Sequence, residues 1–167
     1  VDNEGLTLYL EQPKVFDVVY CGSNRDGLDI EIKRIADLGL TVALIGSFEK
    51  IEHHNITYFG RKLPSEVKEI ITQCKYGFNY TPDIFPFNIQ DSTKVIEYCA
   101  YGLGVITNSY QWINKFEQER GAKFLRLENI NTKEDIEAFS FVVPDVSDLY
   151  WDDLISKTGL IEKIRGL

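Results

Sequence analysis

Six short runs rich in β-branched and aromatic residues recur along the chain: Phe16 to Cys21, Leu40 to Ile45, Ile56 to Phe59, Tyr76 to Tyr80, Gly104 to Thr107 and Lys123 to Leu127. Runs of this length and composition predict strands. Most are apolar on both faces, the mark of a parallel sheet covered by helices on both sides. Between them the apolar period lengthens. In Pro64 to Cys74 the residues Val67, Ile70, Ile71 and Cys74 are spaced i, i+3, i+4, i+7, the signature of an amphipathic helix. Asp29 to Leu38, Ser92 to Tyr101 and Tyr110 to Arg120 read the same way, the last two stopped by Gly102 and Gly121. Thr132 to Phe139 is a shorter helical stretch, and a last helix is expected around Trp151 to Ile164.

Strands alternating with helices of about ten residues define an α/β, doubly wound parallel sheet of about six strands with helices on both faces. Its connections should be right-handed crossovers. Residues 1–15 read as a linker, and the softest connections are expected at Ser47 to Asn55 and Thr81 to Gln90. A chain of 167 residues suits one domain with its own core.

Composition narrows the function. A net charge of −8 argues against a nucleic-acid partner, which needs a basic footprint. No stretch has the roughly 18 apolar residues of a membrane span, and the N-terminus is mixed and acidic rather than a signal peptide. Cys21, Cys74 and Cys99 form no CxxC pair and sit in apolar contexts, so they read as buried free thiols of a reducing cytoplasm. His53 and His54 are adjacent in a polar loop and read as solvated residues, so no metal site is expected. The chain lacks methionine and begins at Val1, which leads us to expect a piece of a larger protein.

Ligands of open α/β sheets bind at the carboxyl ends of strands, near helix N-termini. Three junctions therefore matter. Gly22-Ser23-Asn24-Arg25-Asp26-Gly27 combines glycines with an arginine suited to phosphate, but lacks the spacing of a dinucleotide fingerprint; it is equally an ordinary polar loop. Gly60-Arg61-Lys62 places two cations before a helix start, where they oppose the helix dipole unless an anion is near; they are equally solvated surface charges. The third junction is Asp91 to Thr107. Asp91 or Ser92 caps the helix, and its free N–H groups with Ser92, Thr93 and Lys94 make an anion site. Glu97 lies about 6 Å further along the axis, placed to accept hydrogen bonds from a ribose diol. The competing reading makes Lys94 and Glu97 a surface ion pair on a scaffold helix.

The stretch STKVIEYCAYGLGVIT resembles the signature of GT-B-fold glycosyltransferases, with Gly104 where that family usually has proline. The segments VVYCGS, VALIGS, ITYFGRKLPSEV and CKYGFNYTP precede it in the order of that family's C-terminal, nucleotide-sugar-binding domain, a Rossmann-like fold. The resemblance runs from about Phe16 to Leu127. It implies that residues 16–167 are this donor-binding domain, with the N-terminal acceptor domain absent. Glu97 would bind ribose hydroxyls, Ser92, Thr93 and Lys94 the diphosphate, and Gly22, Ser23 and Arg25 a second phosphate contact. Gly60, Arg61 and Lys62 would border the base, and the Pro86 to Gln90 loop would approach the donor sugar.

Many retaining members carry an acid eight positions before the ribose glutamate, where this chain has Ile89. Stereochemistry and the catalytic residues therefore stay unassigned. The resemblance implies transfer of a sugar from a nucleoside diphosphate donor, UDP-sugar favoured, to an acceptor glycan or lipid-linked glycan held by the other half. It needs no cofactor and no metal, and it implies a cytoplasmic location, peripheral at the inner membrane face through that half. Asp152-Asp153 reads as surface charge. Two alternatives are a nucleotide-sugar 2-epimerase-like enzyme and a nonenzymatic flavodoxin-like or receiver-like module. The Cys-Gly-Ser end of the first strand lacks the clustered acids that a receiver needs.

Overall fold

The computed structural model describes residues 13–49 and 51–150. Six parallel strands form one sheet in the order β3-β2-β1-β4-β5-β6, with β1 at Phe16–Cys21, β2 at Val42–Ile45, β3 at Ile56–Gly60, β4 at Cys74–Asn79, β5 at Gly104–Thr107 and β6 at Leu125–Arg126. Helices α1 (Leu28–Asp37), α2 (Pro64–Thr72), α3 (Thr93–Ala100), α4 (Gln111–Arg120) and α5 (Lys133–Glu137) fall between them or after β6. This is the doubly wound fold read from the sequence. Its strand order reverses between β1 and β4, the point where such sheets open a crevice for ligands.

Side chains of each strand alternate between two cores. On one face Val18, Tyr20, Val42, Leu44 and Phe78 pack with Leu28, Ile32 and Ile35 of α1 and Ile136 of α5. On the other, Val19, Ala43, Ile45 and Val105 pack with Ile70 and Ile71 of α2, Val95 and Tyr98 of α3, and Ile113 and Phe116 of α4. Tyr98 lies directly against β4. A Cβ on Gly77 would stand 2.3 Å from its ring, so only glycine lets the helix come this close. The fully buried Tyr98 hydroxyl accepts the Cys21 N–H at 3.1 Å, tying α3 to the end of β1.

Several boundaries differ from the sequence reading. Cys74 opens β4 rather than closing α2, because it pairs with Phe16 of β1. The run Lys123 to Leu127 yields only a two-residue strand. Leu127–Asn129 turns as a 3₁₀ helix, and Lys123 pairs instead with Val142 in an isolated antiparallel bridge. His53 is not solvated: its side chain is 11% exposed, its Nε2 lies 3.1 Å from Asp37, and its Nδ1 accepts the Asn55 N–H. His54 stacks on its ring. The three cysteines are free, two buried and Cys21 half-buried, and burial pushes the Cys74 and Cys99 thiols up to about 12. The helix expected around Trp151 to Ile164, Asp152-Asp153 and most of the 1–15 linker lie outside the described residues.

Candidate functional site

The β1–β4 crevice is built from both of its margins. After β1, the chain turns through Gly22 to Gly27 into α1. Gly27 is in the left-handed region (φ 82°), and a Cβ there would stand 2.8 Å from the Tyr80 hydroxyl, so this turn requires glycine. After β4, a loop runs from Tyr80 to Asp91 into α3. Its start is fixed by Asn108, whose Oδ1 accepts the Thr81 N–H at 2.9 Å and whose Nδ2 donates to the Thr81 carbonyl at 2.7 Å. Its end is fixed by Ser92, the α3 cap, which accepts the Val95 N–H.

The Ser92 hydroxyl donates to the buried Asn79 Oδ1 at 3.2 Å, and Asn79 Nδ2 donates to Thr107 Oγ1 and to the Tyr110 hydroxyl. The Ser92 proton and one of its lone pairs are thus both committed inside the protein. The residue acts first as a cap, whichever ligand the helix receives.

Two cations converge on this helix end. Lys94 reaches from α3 under the end of β1, its Nζ 5.1 Å from the centroid of the Tyr20 ring. A Cβ on Gly22 would stand 3.3 Å from both that Nζ and the Tyr20 hydroxyl. Arg25 spans the other side, 5.7 Å from the centroid of Phe87, and its Nε is buried without a partner. The Tyr20 hydroxyl donates to the Ser23 carbonyl and lies beside Arg25. Burial, reinforced by the Arg25 charge, holds Lys94 down to about 8. Burial likewise raises the Glu97 carboxyl above its ordinary value. Among the described residues, no ion pair joins Lys94 to Glu97 or Arg25 to any acid. The surface ion-pair reading of α3 therefore has no counterpart in the structure.

Arg25, Thr81, Phe87, Gln90, Asp91, Ser92, Thr93 and Lys94 line one cavity of about 100 Å³. Gly22 lies beside Lys94 Nζ, Ser23 is exposed and does not line the cavity, and Glu97 lies one helical turn further along α3, close enough to Cys21 for its charge to raise that thiol. Gly60, Arg61 and Lys62 are elsewhere, at the outer end of β3. Arg61 Nε donates to Ser47 at 2.9 Å, and Lys62 pairs with Glu66 at 3.0 Å on an exposed surface. The Gly60 carbonyl accepts from Gly46 N–H.

Sequence reasoning missed Tyr20, Asn79, Thr81 and Asn108. Only their places at strand ends pointed to them; the partners of Asn79, Thr81 and Asn108 are far away in the chain.

Among the described residues no group of His, Cys, Asp and Glu is disposed to hold a metal ion, and no helix is long and apolar enough to cross a membrane. No protein-family model matches this chain, and no curated protein matches it in sequence. Its fold does match a solved structure, that of AviGT4, a glycosyltransferase involved in avilamycin A biosynthesis. The TM-score is 0.58 at 11% identity, covering 78% of this chain and 44% of that one. The chain is thus similar to less than half of a glycosyltransferase, at the level of the fold.

Proposed function

We propose that this chain is the donor-binding domain of a glycosyltransferase, moving a sugar from a nucleoside diphosphate sugar to an acceptor hydroxyl in polysaccharide or glycoconjugate synthesis. The observation that carries this reading is the pair Arg25 and Lys94. Both are half-buried and neither forms an ion pair among the described residues, and both line, with Asp91, the cavity at the start of α3. Unpaired cations at a helix N-terminus are costly until an anion arrives. A diphosphate relieves that cost, and as a leaving group it gains charge in the transition state, where preorganised cations stabilise it most. Glu97, one turn deeper, takes the ribose hydroxyls. The end of β3 at Gly60, Arg61 and Lys62 borders the base through its backbone, since Lys62 is paired with Glu66 and Arg61 is hydrogen-bonded to Ser47. No side chain of this domain is assigned as general base. The fold shared with AviGT4 agrees with this class of reaction.

The test is unfolding in the presence of UDP, GDP, UDP-sugars and inorganic pyrophosphate. A ligand at one hundred times its Kd stabilises the folded state by about 2.7 kcal/mol. Glu97→Gln should weaken UDP while leaving pyrophosphate unchanged, because only the nucleotide carries a ribose. Failure of every nucleotide to stabilise the chain would sink the reading.

A further inference from the structure

Lys94 is the second residue of α3, where the helix dipole opposes a cation. The nearest remedy in the sequence is Glu97, three residues on, a spacing at which lysine and glutamate pair on a helix. The structure does not use it. Among the described residues Lys94 forms no ion pair, and its ammonium lies instead over the ring of Tyr20, 5.1 Å from the centroid. The side chain passes close over Gly22, where a Cβ would stand 3.3 Å from Nζ.

Tyr20 is itself fixed on three sides. It is fully buried, its ring meets Phe48 at 5.7 Å and Phe78 at 6.2 Å between centroids, and its hydroxyl donates to the Ser23 carbonyl at 3.0 Å. It is therefore a rigid aromatic surface at the end of β1, presented to a side chain of α3. Such a surface attracts a cation within about 6 Å of its centroid but carries no formal charge. An ion pair with Glu97 would neutralise the ammonium and consume the carboxylate, and the ring does neither. A phosphate oxygen, which offers a charge-assisted hydrogen bond, outcompetes the ring for the same ammonium.

We propose that Tyr20 is the positioning residue of this anion site, its ring holding Lys94 beside the cavity and apart from Glu97. Where Lys94 lies follows from the contacts themselves; that it then meets the diphosphate of a sugar donor rests on the glycosyltransferase reading. On that reading the two charges stay separate because each serves a different part of the ligand, Lys94 the phosphates and Glu97 the ribose.

The test replaces Tyr20 by phenylalanine and by a trifluorinated phenylalanine, which keeps the shape of the ring but removes the electron-rich character of its face. Both are made with Glu97 intact and with Glu97→Gln, and each protein is titrated with inorganic pyrophosphate and with UDP. Tyr20→Phe should bind pyrophosphate within about twofold of wild type, and the fluorinated protein about fivefold more weakly. Glu97→Gln should restore the fluorinated protein to wild-type affinity for pyrophosphate, because Lys94 then has no carboxylate to pair with; a merely structural role for Tyr20 would give no such rescue. In ¹H–¹³C spectra of the unliganded wild type, the ε-methylene of Lys94 should be displaced upfield by the ring current of Tyr20. An unshifted methylene, a fluorinated protein that binds as wild type does, or a loss that Glu97→Gln leaves in place overturns the proposal. If pyrophosphate follows the expected pattern while UDP binds no more tightly than pyrophosphate, the glycosyltransferase reading fails and the role of Tyr20 stands.

Discussion

Two strand ends in this protein carry a pair of basic residues near a helix start, and they meet opposite fates. At the end of β3, Arg61 and Lys62 find Ser47 and Glu66 on an exposed surface. At the β1–β4 switch point, Arg25 and Lys94 are brought together from opposite margins, half-buried and without an ion pair among the described residues. Exposed cations, whether ion-paired like Lys62 or hydrogen-bonded like Arg61, are worth little to stability or to a ligand. Withdrawn, unpaired ones are costly to the empty protein, and that cost is what an anion removes. On the proposed reading, the cations that hold the ligand are those that the fold half-buries without an ion pair.

The backbone shows the same contrast, and it gives the largest expected effect. A Cβ on Gly46 would stand 1.9 Å from the Gly22 carbonyl oxygen, at a φ of 134°. Gly46→Ala should cost more than about 3 kcal/mol, because backbone on both sides must shift. Gly60, at φ 67°, has open space around its missing Cβ, so Gly60→Ala should cost only about 1–2 kcal/mol of conformational strain. Urea unfolding of the two variants compares them directly; equal costs would remove the distinction between a crowded site and an open edge.

Charge deletion is the next effect. Lys94→Ala or Arg25→Ala should weaken UDP binding by roughly 10- to 100-fold, the worth of a hydrogen bond to a charged group. pH should act on the same contact. Lys94 titrates at about 8, so it is charged and attractive below that pH and neutral above it. UDP affinity should fall by about tenfold per pH unit above 8 until the pKa of the complex is reached. Lys94→Arg, which keeps its charge, should flatten the profile. Calorimetry from pH 6.5 to 9.5 measures this, and a flat wild-type profile would exclude Lys94 from the contact.

The smallest effect separates capping from binding. Ser92→Ala should cost about 1 kcal/mol of stability through the lost cap. It should change UDP affinity little, because the hydroxyl already serves Asn79 and Val95. A large affinity loss without a stability loss would make Ser92 a ligand rather than a cap.

Most strands and the first four helices were legible in the sequence, because each is a short apolar run or a clean helical period ended by a turn residue. β6 was less so. The apolar residues of Lys123 to Leu127 serve a two-residue strand, a 3₁₀ turn and a bridge to Val142, and no local pattern distinguishes these uses. Cys74 fits either a helix or a strand, and pairing with Phe16 decides for the strand. At the site, Ser92, Thr93, Lys94 and Glu97 could be singled out because they share one helix end. What the sequence could not show is isolation. Whether Arg25 or Arg61 has a partner depends on residues from other elements, as do the Asn79 network and the seating of Tyr98 over Gly77.

On the proposed reading the half-buried cations Arg25 and Lys94, and not the exposed Arg61 and Lys62, hold the diphosphate. The most direct measurement is a UDP titration of two double variants, Arg25→Ala with Lys94→Ala and Arg61→Ala with Lys62→Ala, beside the wild type. Binding should vanish in the first and stay within about fivefold of wild type in the second. Equal loss in both, or UDP binding that survives removal of Arg25 and Lys94, would contradict it.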